Sequence, residues 1–248
     1  MQRCRKIADL LTVIAAFLIL WEAAVRAGWV KEFLFPPPER VFVQLFADAP
    51  KLLTHIRASL GLVLHGYALG LAAAIPLGLL IGGSTRAGTT ATLISKFLAS
   101  IPPIVYIPYG VALLPTFRSV SVMVIFLATF WPVLSATVAG VLYTERKYID
   151  AAKVQGHGKW TVLFRVILPG ALPQIFTGCN QGLSVSFILL TSAEMIGARN
   201  GMGYYVNYFS DLGDYKRTIV GVIVIGTVIS LVFFAFGKLQ KHMLRWRV

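Results

Sequence analysis

Six long apolar runs, at residues 7–25, 58–81, 97–114, 120–142, 172–193 and 219–236, set the pattern of this chain. The hydrocarbon core of a bilayer takes roughly 20 apolar residues of helix, and each run is about that long. Strands of a membrane barrel need apolar and polar residues to alternate over about ten positions; these runs are too long and too uniform for that. They predict an all-α membrane protein with six transmembrane helices. The first run carries Asp9 and Glu22 near its ends. Arg3, Arg5 and Lys6 before a short apolar centre also fit a removable leader, but no small-x-small cleavage site follows, and the run is read as a retained helix. His65 alone interrupts the second run and reads as a packing or hydrogen-bonding group rather than a metal ligand. The third run holds Pro102, Pro103 and Pro108, and the fifth has a polar centre at Asn180 and Gln181.

The segments between the runs divide the chain in two. Residues 1–57 give the first helix and an outer segment; residues 58–248 give a core of five helices with a long loop at 143–170. Pro36, Pro37 and Pro38 forbid a continuous helix through the outer segment. After them Val41, Leu45, Leu52, Leu53 and Ile56 alternate with polar residues, which predicts a short amphipathic helix along the outer interface. Residues 198–218 collect Gly201, Gly203, Tyr204, Tyr205 and Tyr208. These read as interfacial aromatics or as a contact surface for an outside partner. Gly66 with Gly70, and Gly78 with Gly82, allow close helix packing in the second run.

Composition agrees with the pattern. Of 248 residues, 57% are hydrophobic and 13% charged, whereas a soluble domain carries roughly a quarter charged residues. Soluble, disordered and collagen-like classes are excluded. The net charge of +13 would point to a nucleic-acid partner in a soluble protein; here the charges lie between membrane runs, so no nucleic acid is expected and topology is the better reading. With the N-terminus inside, 14 of the 23 basic residues fall in inner segments, at the N-terminal tip, 86–96, 143–170 and the C-terminal tail. Seven of the ten acidic residues fall outside. Both termini are therefore expected to be cytoplasmic. Cys4 and Cys179 are far apart and read as plain thiols.

The loop at 143–170 is the most specific feature. Asp150-Ala151-Ala152-Lys153-Val154-Gln155-Gly156 is followed after nine residues by Val166-Ile167-Leu168-Pro169. This predicts a first helix over 148–155 with Asp150 near its start, a turn at Gly156 and Gly158 where positive φ ends a helix, and a second helix over 159–166. Trp160, Leu163, Phe164 and Ile167 fall on one face of the second helix, and Pro169 stops it. A helix pair with an apolar face and a basic rim suits docking into a groove on another protein.

The pattern resembles the E-A-A-x3-G-x9-I-x-L-P signature of bacterial ATP-binding-cassette importer permeases, with Asp150 for the usual Glu and Val166 for the usual Ile. The resemblance runs from about residue 30 to the C-terminus. Phe35-Pro36-Pro37-Pro38 and Ser100-Ile101-Pro102-Pro103-Ile104 with Ile107-Pro108 look like stretches of that family, and Phe130-Trp131-Pro132-Val133-Leu134, Leu168-Pro169-Gly170-Ala171-Leu172-Pro173, Ala193-Glu194-Met195-Ile196 and Gly201-Met202-Gly203-Tyr204 look like the branch that carries nitrate, sulfonate, taurine and related small anions or metabolites. It implies a type I importer permease fold in the bacterial inner membrane. Two copies would form the pathway, each docking one ATPase subunit through the loop, and an extracytoplasmic binding protein would deliver the solute. Asp150, Ala151, Ala152, Gly156, Trp160 and Pro169 would couple the chain to the ATPase. One departure stands out: residues 111–117 read Val-Ala-Leu-Leu-Pro-Thr-Phe where the branch has a Trp-Phe-Gly run, so the lining near the prolines, and with it the cargo, is not carried over.

No chemistry of its own is expected from the chain. Gly156-His157-Gly158-Lys159-Trp160 lacks the first glycine and the Ser/Thr of a phosphate loop, so ATP hydrolysis belongs to a separate subunit. No cofactor or metal site is expected. Polar groups within spans mark pathways or interhelical hydrogen bonds; the candidates are Asn180, Gln181, Ser184 and Thr191, with Asn180, Ser184 and Thr191 on one helix face. Glu194 reads as a gate or an interfacial charge, and Pro102, Pro103 and Tyr106 mark backbone opened towards a cavity. Two rival classes lack their marks in the sequence. A self-sufficient channel or secondary carrier would want charges deep in several spans, and a membrane-embedded enzyme a paired nucleophile and base; neither is evident.

Overall fold

The structure, a computed structural model, describes residues 2–247, without the side chains of residues 2–8, 10, 11 and 247. The side chains of Arg3, Cys4, Arg5, Lys6 and Arg247 thus lie outside the described ones. Among the described residues every regular element is helical: α1 Gln2–Arg26, α2 Pro38–Ala47, α3 Ala49–Gly82, α4 Thr85–Ala99, a 3₁₀ turn Pro103–Tyr106, α5 Ile107–Leu113, α6 Phe117–Leu142, α7 Arg146–Val154, α8 Lys159–Val162, a π-helical turn Leu163–Ile167, α9 Leu168–Gly197, α10 Met202–Asp211, α11 Tyr215–Met243 and a 3₁₀ turn Arg245–Arg247.

Among the described residues, four stretches are long and apolar enough to cross a membrane: α3, α6, the continuous run Lys159–Gly197, and α11. α4 and Pro103–Leu113 qualify together as a fifth, bent by 74°. The expected first span, residues 7–25, falls in α1, where the side chains of residues 7, 8, 10 and 11 lie outside the described ones. The expected third span is corrected. It is not one helix over 97–114 but two pieces, Thr85–Ala99 and Pro103–Leu113, which make a broken span or a re-entrant loop. Pro102 and Pro103 have no N–H to donate, and the helix ends at Ala99. Residues 86–96, expected as an inner loop, are helix packed along α6, where a Cβ on Gly88 would lie 3.3 Å from Val138 and Leu142.

α3, α6 and α9 make the core. A Cβ on Gly66, Gly70, Gly78 or Gly82 would stand 2.6–2.7 Å from Ile125, Thr129, Thr137 or Val141 respectively. The pairs keep a constant offset of 59 residues, so α3 and α6 run parallel along one continuous seam. Lipid offers no hydrophobic gain for helix association, so close backbone approach through small residues is what holds such pairs together. α9 crosses α6 the other way: Gly178 lies on Ala136 and Pro132, Gly182 on Thr129, and Ala171 under Gly140. Thr129 Oγ1 and Ser186 Oγ join these two helices at 2.9 Å.

At the end of the core opposite the 143–170 loop, α2, α10 and the first turns of α11 pack on α3 through Val41, Leu52, Met202, Tyr205, Val220 and Val224. The amphipathic helix expected after the prolines is α2, but it stops at Ala47. Leu52, Leu53 and Ile56 belong instead to α3, which extends the second span outward by more than two turns.

Candidate functional site

The loop between α6 and α9 is built as two helical pieces around one glycine. α7 runs over Arg146–Val154, two residues earlier than expected. Asp150 therefore lies beyond the first turn, where the helix dipole no longer acts on it, and its carboxylate faces Lys153 Nζ at 3.8 Å. Gly156 has φ +77°. Its N–H donates to Lys153 O at 2.9 Å and the N–H of His157 to Ala152 O at 3.1 Å. This pair of bonds is the Schellman ending, in which the left-handed residue is almost always glycine. Gly158 is extended with φ −67° and precedes α8, so of the two glycines only Gly156 adopts positive φ.

The second piece differs from expectation in two ways. Pro169 does not stop it: α8, the π turn and α9 are continuous. Proline at 169 deletes one donor of the ladder, and a π turn over Leu163–Ile167 comes shortly before it. The four apolar residues also divide between two sides. Leu163 and Ile167 pack inward on the core cluster of α3, α6 and α9. Trp160 and Phe164 face out, 67% and 56% exposed, and stack with their ring centroids 6.2 Å apart. Val154, at the tip of α7, is 89% exposed, whereas Ala152 and Val162 are buried. Lys153, Lys159 and Arg165 are exposed on the same stretch and add positive charge to it. A recess of about 620 Å³ lies beside the loop, lined by Tyr148, Ala151, Gln155, Arg165, Pro169 and the C-terminal Trp246 among others.

The pathway candidates fall in two groups. Asn180 and Gln181 are exposed near the middle of α9, and Ser184 beside them donates to Asn180 O at 3.0 Å. Higher on the same helix, Thr191 donates to Phe187 O. The break with Pro102, Pro103 and Tyr106 packs at that upper level, through Ile104 against a cluster that includes Leu189 and Ala193. The nine residues from Asn180 to Leu189 rise about 13 Å along a helix, so the two groups lie at different depths. His65 bonds its own helix, Nδ1 to Gly61 O at 2.6 Å.

Glu194 is 1% exposed and points at neither group. Its carboxylate accepts the Ser59 hydroxyl at 2.6 Å and the Gly203 N–H at 2.8 Å. Ser59 Oγ in turn accepts the Met202 N–H at 2.8 Å. Glu194 thus ties α3 and α9 to the N-terminus of α10, where a carboxylate is favoured. Gly201 (φ +128°) lies so close that its Cβ would be 2.3 Å from the carboxylate. Sequence reasoning missed Ser59 as its partner.

It also missed a polar cluster at the same end. Asp48 accepts from Tyr205 Oη at 2.9 Å and from Arg217 Nε at 2.7 Å, and Arg217 Nη1 reaches Asp214 at 2.8 Å. Burial disfavours the Asp48 carboxylate, but hydrogen bonds from Arg217, Tyr205 and Gln44 outweigh it and hold the group below the usual carboxylate range. Burial and the Asp48 carboxylate push the Tyr205 phenol up. The only signal in the sequence was that Asp48 and Asp214 each directly precede a long helix.

These features define a polytopic helical membrane protein whose tightly seamed core presents an exposed helix–glycine–helix loop at one end. Residues 74–246 match the family described as binding-protein-dependent transport system inner membrane component, and the chain belongs to that family. It is 29% identical over 250 residues to the taurine transport system permease protein of Escherichia coli, covering 98% of this chain and 90% of the relative. It is 36% identical over 197 residues to a probable ABC transporter permease protein of Brucella abortus, covering 79% of each. With the bicarbonate transport system permease protein of Synechocystis it shares 28% identity over 248 residues, covering 92% of this chain and 85% of the relative. An inward-facing methionine ABC transporter superposes with a TM-score of 0.66 at 17% identity, covering 79% of this chain and 98% of that chain. The fold is that of an ABC importer permease.

Proposed function

We propose that this chain forms the membrane pathway of an ATP-driven importer for a small oxyanion of the nitrate, sulfonate, taurine or bicarbonate kind. The anion class rests on the relatives that carry taurine and bicarbonate. In this reading the chain lies in a bacterial cytoplasmic membrane with both termini inside. An extracytoplasmic protein delivers the solute, a second copy completes the pathway, and each copy docks a separate ATPase subunit that hydrolyses ATP. Residues 1–57 are the peripheral part and 58–248 the transporting core.

One observation carries the proposal. Val154, Trp160 and Phe164 stand exposed on a loop whose shape is fixed by Gly156, with Ala152 and Val162 buried beneath. Each exposed side chain is worth roughly 1.5–3 kcal/mol if a partner covers it, and the basic rim favours an acidic groove edge. Asp150, Ala151, Ala152, Gly156, Trp160 and Pro169 set this surface and its connection to α9. Asn180 and Gln181, exposed on a membrane-crossing helix beside Ser184, are neutral donors for an anion; Pro102, Pro103, Tyr106 and Thr191 belong to the outer part of the pathway, and Glu194 braces that end through Ser59 and Gly203. The test is uptake of labelled taurine, nitrate and bicarbonate into vesicles carrying the chain with its ATPase subunit and binding protein. ATP-dependent uptake of one of them upholds the proposal. Uptake that proceeds without ATPase subunit or nucleotide would make the chain a self-sufficient carrier.

A further inference from the structure

Near the Glu194 cluster, at the end of the core opposite the loop, Lys51 and His55 of α3 face α10 across a recess of about 230 Å³ walled by Tyr204, Tyr205, Tyr208 and Phe209. His55 meets Tyr205 edge-on at 5.5 Å, and Tyr204 stacks on Tyr208 at 5.7 Å. The Gly201 N–H donates to His55 Nδ1 at 3.2 Å. A ring nitrogen that accepts an N–H carries no proton, so His55 is the neutral tautomer with its hydrogen on Nε2. The Tyr205 hydroxyl is committed to Asp48.

The remaining donors of the recess are free. Among the described residues, Lys51 Nζ, His55 Nε2–H and the hydroxyls of Tyr204 and Tyr208 make no hydrogen bond or ion pair with the protein. No carboxylate lines the recess. The acidic groups on the neighbouring segments already have partners, Asp48 in Tyr205 and Arg217, Glu194 in Ser59 and Gly203, and Asp211 in Asn207. Four donors, one of them cationic, set among aromatic faces and without a competing acid, match a group that is small, anionic and rich in acceptor oxygens. The N-terminus of α10 is not part of this match, because Glu194 already occupies it.

We propose that this recess binds a small free oxyanion, a sulfonate, nitrate or bicarbonate group, through Lys51, His55, Tyr204 and Tyr208 before it enters the membrane path. The inference rests on the reading of the cargo as a small oxyanion. It makes the recess a waiting site on the permease itself, distinct from the delivering protein and from the Asn180–Ser184 group inside α9.

The test uses the complete complex with its ATPase subunit, in nanodiscs and without binding protein. Binding of taurine, nitrate, bicarbonate and acetate, each alone, is titrated calorimetrically for the wild type, Lys51→Met, His55→Phe and, as a control outside the recess, Lys96→Met. The expected result is saturable binding of at least one of the first three probes, weakened about tenfold or more in Lys51→Met and His55→Phe and unchanged in Lys96→Met. Lys51 is exposed and makes no bond that folding needs, so its variant keeps the test valid if His55→Phe is unstable. The proposal is overturned if none of the three probes binds saturably, or if Lys51→Met binds like the wild type. It is also overturned if acetate alone binds, which would assign the recess to a carboxylate side chain of a docking protein. Uptake of the same probes, measured in vesicles with the binding protein, separates the two readings. Uptake of a probe that does not bind the recess overturns this inference alone; binding without uptake of any probe upholds the recess and overturns the cargo reading.

Discussion

Replacing Glu194 by alanine removes the acceptor of two buried donors at once. The Ser59 hydroxyl proton and the Gly203 N–H then face each other across an empty site, with Ser59 0% exposed. Each orphaned donor costs about 1–3 kcal/mol, so the variant loses about 2–6 kcal/mol at the junction of α3, α9 and α10. Glu194→Gln keeps one acceptor oxygen and turns an amide towards the other donor, so it loses about half as much. Gly203→Ala fails by a different route, since its Cβ would come 2.5 Å from the Thr191 carbonyl oxygen, a backbone atom that cannot swing aside. The assay is the midpoint of thermal inactivation of the complex in nanodiscs at a fixed heating rate, because unfolding of such a protein is irreversible and rate-dependent. The expected order is wild type, then Gln, then Ala, with Ala lowered by about 10 °C. A Glu194→Ala complex that inactivates at the wild-type temperature while losing uptake would refute the reasoning and make Glu194 a pathway or gate residue instead.

Gly78→Leu forces a side chain into the α3–α6 seam, where even a Cβ meets Thr137 at 2.6 Å; overpacking costs about 1–3 kcal/mol or more, and the folded yield from membranes should fall, whereas Gly226→Leu, with open space around it, should leave the yield unchanged. The folded-state pKa of Asp48 is lowered, so its network adds stability above the ordinary aspartate value of about 3.9 and loses it as pH falls through the lower folded value. Asp48→Asn should therefore be less heat-stable than wild type at neutral pH, with the gap closing below pH about 3.9. Gly156→Ala meets no neighbouring atom and carries only the left-handed backbone cost of about 1–2 kcal/mol, so it should weaken retention of the ATPase subunit less than Gly156→Pro, as read by copurification.

Much of the fold was legible because the bilayer demands it. A run of some 20 apolar residues has few other fates, and the repeat of small residues at 66, 70, 78 and 82 already marked the face that meets α6. Gly156 was legible for a local reason: a helix that must end in a sharp turn needs positive φ, and glycine supplies it. What failed was everything decided by tertiary neighbours. Pro102 and Pro103 were visible, but their effect, a 74° break after a helix begun at Thr85, depends on α4 having α6 to lie along. The split of Leu163 and Ile167 from Trp160 and Phe164 is set by where α3, α6 and α9 lie against this stretch, which periodicity alone does not reveal. Glu194 looked like a membrane-edge charge because its acceptor role is completed by Ser59, 135 residues away.

The central claim, that the 146–167 loop transmits the ATPase stroke to the core, is tested most directly by Val154→Asp. Val154 is 89% exposed, so the change leaves the fold of the chain alone, yet if a partner covers this side chain the variant buries an unpaired carboxylate, at a cost of about 3–5 kcal/mol. ATP-driven uptake into vesicles and retention of the ATPase subunit are measured on the same preparation. The account predicts that both fall at least tenfold while the chain remains in the membrane at normal yield. Uptake and retention equal to wild type would mean that nothing docks on this surface, and would contradict the account.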